Sequence, residues 1–251
     1  MKLSFVIPAH NEAATIGCCL EAIFRELNGV RIEHEVIVVD NVSTDETAAT
    51  AGRYPGVTVI RESRKGITFA RQAGFLHSRG DLVANIDADA ILTAGWVQTV
   101  LREFSADTGL VCLSGPQVYY DAPWFTRIGA YLFYRVAFLA YLILRFVLRS
   151  GSMVQGGNFV CRRAALEAIG GFDTTIQFYG DDTDIAQRLH SVGRVKFSLR
   201  LPVYASGRRF AVEGLAATGL RYAVNYFWVV IFGRPFTRVS RDIRLLEQPR
   251  T

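Results

Sequence analysis

The chain has 251 residues, 50% of them hydrophobic, with 28 Lys and Arg against 23 Asp and Glu and a formal net charge of +5. That length fits one large domain, alone or with a small appendage. Charged residues at 20% and a mean hydropathy of +0.20 exclude a disordered chain.

Only Lys2, Lys65 and Lys196 are lysines. The basic residues are therefore mostly arginine, whose planar fork matches phosphates and carboxylates, and anionic partners are expected. Residues 1–8 hold an apolar run of only a few residues before Pro8, too short for a secretory signal. Cys18 and Cys19 are adjacent, while Cys112 and Cys161 stand alone in apolar stretches. Neither a disulfide framework nor a CxxC pattern results, so the four are read as small buried hydrophobes in a reducing cytosol.

Short β-branched runs at 3–7, 36–39, 57–60 and 82–86 alternate with helix-length patterns near 13–28, 44–53 and 65–79. The alternation predicts an α/β fold with a mixed, mostly parallel sheet and helices on both faces. Ligands of such sheets sit beyond the carboxyl ends of the strands. Those ends carry Pro8-Ala9-His10-Asn11-Glu12, then Asp40-Asn41-Val42-Ser43-Thr44-Asp45, then Asp87-Ala88-Asp89. Ser43 or Thr44 also suits a helix N-cap. Asp40 ends a buried strand, where an unpaired carboxylate is costly, so a ligand-facing role is expected there.

Asp87 and Asp89 lie two residues apart in a turn just past a strand, where both can aim at one hard cation. Mg²⁺ or Mn²⁺ held by one or two carboxylates takes its other ligands from phosphate and water. The histidines show no HxxxH pair or His-Cys cluster, and His34, His77 and His190 read as solvated.

Residues 124–149 are mostly apolar and punctuated by arginine. On a helix Arg127, Arg135, Arg145 and Arg149 fall at roughly 0°, 80°, 0° and 40°, on one face. Three readings compete. A membrane span would bury Arg135 and Arg145 at about 2.5–3.5 kcal/mol each. An interfacial helix, with arginines at lipid phosphates and Leu132, Val136, Ile143 and Val147 among acyl chains, fits better. The third is a helical insert buried against the sheet or in a homodimer interface. Residues 215–232 are again aromatic and apolar and are followed by Arg234, Arg238, Arg241 and Arg244, which strengthens the case for a membrane surface.

Two further motifs carry chemistry. Gly156-Gly157-Asn158-Phe159 is either an ordinary turn or a place where missing side chains let a ligand approach the backbone. Asp181, Asp182 and Asp184 suit a first helical turn, yet three carboxylates exceed what capping requires.

Taken together, SFVIPAHNEAATIGCCL, EVIVVDNVSTDET, RKGITFARQAGF, GDLVANIDADA, GGNFVCRRAALEAIGGFD and YGDDTDIAQRLHSVG resemble, in order over residues 3–206, a family 2 glycosyltransferase of the GT-A fold. The resemblance implies inverting transfer from a nucleotide-activated sugar, with a divalent metal on the diphosphate. It implies that Pro8, Ala9 and Glu12 form the nucleoside loop, that Asp40 reads the base, and that Arg71 lies near ribose and phosphates. Asp87 would lie toward ribose or metal, Asp89 would be the direct metal ligand, and Gly156, Gly157 and Asn158 would face the acceptor. Asp182, or its neighbour Asp181, would be the catalytic base. Relatives commonly have Glu-Asp at this pair, which leaves open which of the two acts. The Gln-x-x-Arg-Trp string of processive members is missing, implying a single transfer. Arg208 or Arg209 is expected to clamp the diphosphate.

The expected layout is a GT-A domain over residues 1–210, with a nucleotide-sugar half at 1–115, an acceptor half at 116–210 holding the insert 124–149, and a helical, membrane-associating extension at 211–251. The expected cofactor is Mn²⁺ or Mg²⁺, and the partners are a nucleotide-diphosphate sugar and a lipid or lipid-linked acceptor. The site of action is the cytoplasmic, inner face of an anionic plasma membrane. Nucleic acid is not an expected partner. Two alternatives are transfer to a polyprenyl phosphate and a non-catalytic scaffold. A nicotinamide dehydrogenase is disfavoured because no GxGxxG follows the first strand.

Overall fold

In the computed structural model, the described residues are 1–146, 153–176 and 180–214, with the single positions 218, 219, 221, 224 and 228. The elements in chain order are β1 (Lys2–Ala9), α1 (Ile16–Asn28), β2 (Glu33–Asp40), α2 (Thr47–Gly52), β3 (Val57–Arg61), α3 (Ile67–His77), β4 (Leu82–Ile86), β5 (Ile91–Leu92) and α4 (Trp96–Ala106). They continue with β6 (Leu110–Ser114), β7 (Gln117–Tyr119), α5 (Trp124–Phe146), β8 (Asn158–Arg162), α6 (Arg163–Ala168), α7 (Asp181–His190), β9 (Arg194–Phe197), β10 (Val203–Ala205) and α8 (Arg208–Glu213).

Among the described residues these strands form a seven-stranded sheet in the order β3-β2-β1-β4-β8-β6-β9 and a small sheet β5-β10-β7. All neighbours in the large sheet are parallel except β8, which runs antiparallel to both β4 and β6. The apolar runs read from sequence become strands because both faces are covered. Leu3, Phe5 and Ile7 of β1 pack with Ile16, Leu20 and Ile23 of α1, while Val6 packs on the other side with Ala70 and Phe75 of α3. A continuous apolar run is what two-sided burial demands.

Gly74 sets how closely α3 approaches the sheet. A Cβ there would come within 2.2 Å of Val6 Cγ1. Hydrogen seats the helix directly on β1 and carries Arg71, one turn earlier on the same face, to the carboxyl edge of the sheet.

α5 is a 23-residue helix, and among the described residues no helix is long and apolar enough to cross a membrane. Thr126, Ala130 and Tyr134 face inward, whereas Trp124, Phe125, Ile128, Tyr131 and Leu132 are exposed. Arg127 and Arg135 are exposed as well. Arg127 and Arg135 therefore share the exposed surface with large apolar side chains, because the inward positions are taken by Thr126, Ala130 and Tyr134. The side chains of Val136, Ile143 and Arg145, all of Val147 and Arg149, and most of 215–251 lie outside the described residues. Of the cysteines, Cys19, Cys112 and Cys161 are buried as expected but Cys18 is exposed.

Candidate active site

Parallel pairing puts the ends of β1, β2 and β4 on one edge. Ala9 is opposite Asp40, and Asp87 and Asp89 follow β4 directly. The antiparallel β8 starts where its neighbours end, with Ile86 opposite Asn158, so Gly156 and Gly157 arrive at the same edge. The N-terminus of α7 adds Asp181 and Asp182.

Arg71 ties these pieces together. It is only 3% exposed; its Nη1 donates to Asp181 Oδ2, its Nη2 lies 3.4 Å from Asp87 Oδ1, and its guanidinium carbon sits 5.4 Å from the centre of the Phe159 ring. Gly157 makes room for Asp87: its φ is +77°, and a Cβ there would fall 1.9 Å from Asp87 Oδ2. The Asp87 amide donates to the Gly157 carbonyl at 3.2 Å, so the two segments are clasped backbone to backbone.

Burial pushes the Asp181 carboxyl up to about 7 against the Arg71 guanidinium, and the carboxylates of Asp182 and Asp87 push in the same direction. Asp182 is raised too, mainly by burial, although Arg71 and the amides of Thr183 and Gly156 oppose it. Its Oδ1 accepts from the Thr183 amide at 2.8 Å. Its Oδ2 faces bare backbone, since a Cβ on Gly156 would stand 3.9 Å away.

A second cation sits beside Glu12 and Asp89. Nη2 of Arg208 donates to Glu12 Oε1 and lies 3.2 Å from Asp89 Oδ2. Asp121 presents Arg208 by accepting from Ser206 Oγ and the Gly207 amide, and the edge-on Tyr119–Phe210 pair, with centroids 4.7 Å apart, pins α8 to β7. Arg209 pairs with Glu213 at 3.4 Å.

The turns after β2 and β3 are tied together by the buried Asn41. Its Nδ2 donates to the carbonyls of Glu62 and Arg64 at 3.0 and 2.8 Å, and its Oδ1 accepts from the Gly66 amide at 2.8 Å. An Asn just past a strand end is a loop-bracing signal that could have flagged it. Asp40 is buried, with Oδ1 accepting from the Ser43 amide at 3.3 Å and Oδ2 3.8 Å from Arg61 Nε. Pro8 and Ala9 end β1 beside it. Glu12 is buried, its amide donating to Thr47 Oγ1 at 2.7 Å and its Oε2 accepting from Thr15 Oγ1 at 2.7 Å.

Ser43 and Thr44 do not cap a helix. α2 begins at Thr47, and Ser43 Oγ accepts from the Asn11 amide instead. Asn158 is fully buried, taking a bond from Trp96 Nε1 at 3.1 Å and giving one to the Leu201 carbonyl at 2.8 Å. It braces the start of β8 from beneath.

Among the described residues no cluster of three or more His, Cys, Asp or Glu side chains is gathered as a metal site. The donor set fits a cation with outside ligands: Asp87 and Asp89 offer hard oxygens on one turn, and a guanidinium already stands against Asp89. Mg²⁺ or Mn²⁺ that takes its remaining ligands from a diphosphate and water suits such a pair.

The fold is shared with solved glycosyltransferases. A mannosyltransferase from Pyrobaculum calidifontis, solved with GDP-Man and Mn²⁺, superimposes with a TM-score of 0.71 at 24% identity over 91% of this chain and 64% of its own. An uncharacterized glycosyltransferase of Mycobacterium tuberculosis is 34% identical over 130 residues, covering 51% of this chain and 55% of the relative. The beta-monoglucosyldiacylglycerol synthase of Synechocystis is 28% identical over 200 residues, 75% of this chain but 40% of that one. The chain thus spans about half the length of the curated relatives it matches. The Glycosyl transferase family 2 model matches residues 4–170, and with the mostly parallel GT-A sheet this makes the chain a member of glycosyl transferase family 2.

Proposed function

We propose that this glycosyltransferase moves one sugar, with inversion, from a nucleotide-diphosphate sugar to a hydroxyl of a lipid or lipid-linked acceptor. We read residues 1–115 as the donor half, 116–210 as the acceptor half, and 211–251 as a membrane-associating extension. The observation that carries the reading is the meeting of Asp87, Asp181 and Asp182 around Arg71 at the sheet edge, with Asp89 two residues past Asp87 and paired with Arg208.

Asp182 is the better base of the acidic pair. Arg71 Nη1 bonds Asp181 Oδ2 directly and occupies it, whereas Asp182 Oδ2 lies beside Gly156, where no side chain intervenes. Burial raises Asp182 above the ordinary carboxylate range, toward the value a general base needs. It takes the proton of the attacking hydroxyl as that oxygen reaches the anomeric carbon and the bond to the diphosphate breaks. Asp89, with Asp87, would hold Mn²⁺ or Mg²⁺, which neutralises the departing diphosphate when bound. Arg208 stands within reach of the same phosphates and supplies a guanidinium fork.

The exposed Trp124, Phe125, Ile128 and Leu132 beside Arg127 and Arg135 form the kind of mixed aromatic and basic face that lies at an anionic membrane surface. The Synechocystis relative is named for a glycolipid product, which supports a lipid acceptor here.

The test is transfer from a panel of labelled nucleotide sugars with Mn²⁺ into lipid extract or soluble saccharides. Labelled lipid that depends on Asp182 supports the reading. Label confined to soluble acceptors overturns the lipid assignment. Label in lipid with Asp182→Asn fully active indicates a phosphate nucleophile, which needs no base.

A further inference from the structure

α5 and β7 enclose a cavity of about 260 Å³ on the acceptor side of the carboxylates, walled by Val118, Ala130, Tyr131 and Leu199 and flanked by Arg127 and Arg135. Its polar floor is one connected network. Tyr134 Oη donates to Gln155 Oε1 at 2.9 Å, and Gln155 Nε2 and Tyr119 Oη both donate to Gln117 Oε1 at 3.3 Å. Gln117 Nε2 then donates to the Gly156 carbonyl at 3.2 Å, and Gly156 is the residue against Asp182. Gln117, which lines the cavity, is thus one hydrogen bond from Gly156, the residue beside the proposed base.

Its chemistry is amphiphilic. The walls are aliphatic and aromatic, and among the described residues no carboxylate is paired with Arg127 or Arg135. The Arg135 guanidinium instead lies 4.7 Å from the centre of the Tyr131 ring, which leaves its edge donors facing outward. A volume below the roughly 300 Å³ at which ligand pockets usually begin suits a head group and not a whole lipid.

We propose that this cavity binds the phosphate-bearing head group of the acceptor lipid. Arg127 and Arg135 hold the phosphate as an anchor, and the head-group hydroxyl beyond it points to Asp182. The hydrocarbon stays outside, against the exposed Trp124, Ile128 and Leu132 of the same helix. This rests on the transferase reading and adds the acceptor's class, an anionic phospholipid in preference to a neutral or zwitterionic one.

Calorimetry on the full chain tests it, using a short-chain anionic phospholipid with a glycerol head group, kept monomeric so that no bilayer surface contributes. The comparison arms are the phosphocholine lipid of equal chain length and inorganic phosphate. The anionic lipid should bind at least about tenfold more tightly than either, because Arg127 and Arg135 repel the choline cation and inorganic phosphate makes no contact with the apolar walls. Arg127→Ala with Arg135→Ala should abolish that preference. Ala130→Leu, which fills the cavity from the inward face of α5, should weaken binding of both lipids.

Equal binding of the two lipids, an unchanged double arginine variant, or phosphate binding as tightly as the lipid would each overturn the proposal. Binding of GDP and UDP with Mn²⁺ is measured alongside. Its absence in the unaltered protein counts against the transferase reading, whereas nucleotide binding without lipid preference counts against the cavity alone.

Discussion

The guanidinium of Arg208 bonds the carboxylate of Glu12, 196 positions away in sequence, and in the same pose lies 3.2 Å from Asp89. A side-chain cation thus stands beside the carboxylate proposed to receive the metal, so arriving metal and diphosphate must share or displace it. Arg208→Ala should lower the stability of the ligand-free protein by about 1–3 kcal/mol, because buried Glu12 loses its cationic partner. Mn²⁺ alone should then raise Tm more in the variant than in the parent, since the ion takes over the lost charge. Turnover should nonetheless fall, because the fork on the diphosphate is gone. Equal Mn²⁺ shifts in the two proteins would show that Arg208 and the metal do not compete.

Gly157 and Gly170 separate strain from function. Both have positive φ, +77° and +76°, but a Cβ on Gly170 meets nothing within 4 Å while one on Gly157 strikes Asp87 Oδ2. Alanine at either position should cost about 1–3 kcal/mol through the backbone alone. Only Gly157→Ala should also displace Asp87 and weaken Mn²⁺ binding in a titration. Parallel losses of metal affinity in both variants would point to general destabilisation.

Much of the donor side is legible in the sequence because its signals are local. The run at 82–86 reproduces β4 to the residue, and those at 3–7 and 36–39 lie inside β1 and β2, since two-sided burial leaves an unbroken apolar string. The carboxylates at the strand ends follow from the parallel order. The acceptor side is harder to read. β8 looks like any short apolar run, and nothing local states that it inserts antiparallel between β4 and β6. Arg208 against Glu12 is a pairing across nearly the whole chain, and no periodicity or spacing encodes it. In α5 helical angle tells which residues share a face, but the neighbours decide which face is buried.

That exposed face yields a prediction of its own. Trp124 is 72% exposed, and Phe125 and Ile128 are more than half exposed. Replacing all three with serine trims side chains that are at least half exposed and should lower Tm by no more than about 3–6 °C, because three surface changes of up to about 0.5 kcal/mol each sum to about 1.5 kcal/mol. Partition onto anionic vesicles should weaken by at least about a hundredfold, since burying each such side chain contributes roughly 1.5–3 kcal/mol. Sedimentation with vesicles measures it, and unchanged sedimentation of the triple variant would move the membrane contact elsewhere.

Asp182→Asn should separate stability from catalysis through pH. Burial raises the Asp182 pKa in the folded, ligand-free protein above its unfolded value. A carboxyl raised in this way binds more protons when folded than when unfolded, so its contribution to stability is largest below the unfolded pKa of about 3.9 and declines as pH rises through the folded value. Asparagine keeps an acceptor for the Thr183 amide and carries no charge, so it escapes that decline. The variant should therefore have the higher Tm at pH 8, with its advantage shrinking toward pH 4, in thermal scans without metal or nucleotide. The same variant should lose about 10²–10⁴-fold in transfer to a hydroxyl acceptor, the usual worth of a positioned base. A variant less stable than the parent at pH 8 would show that the Asp182 carboxylate is held by partners that outweigh its burial.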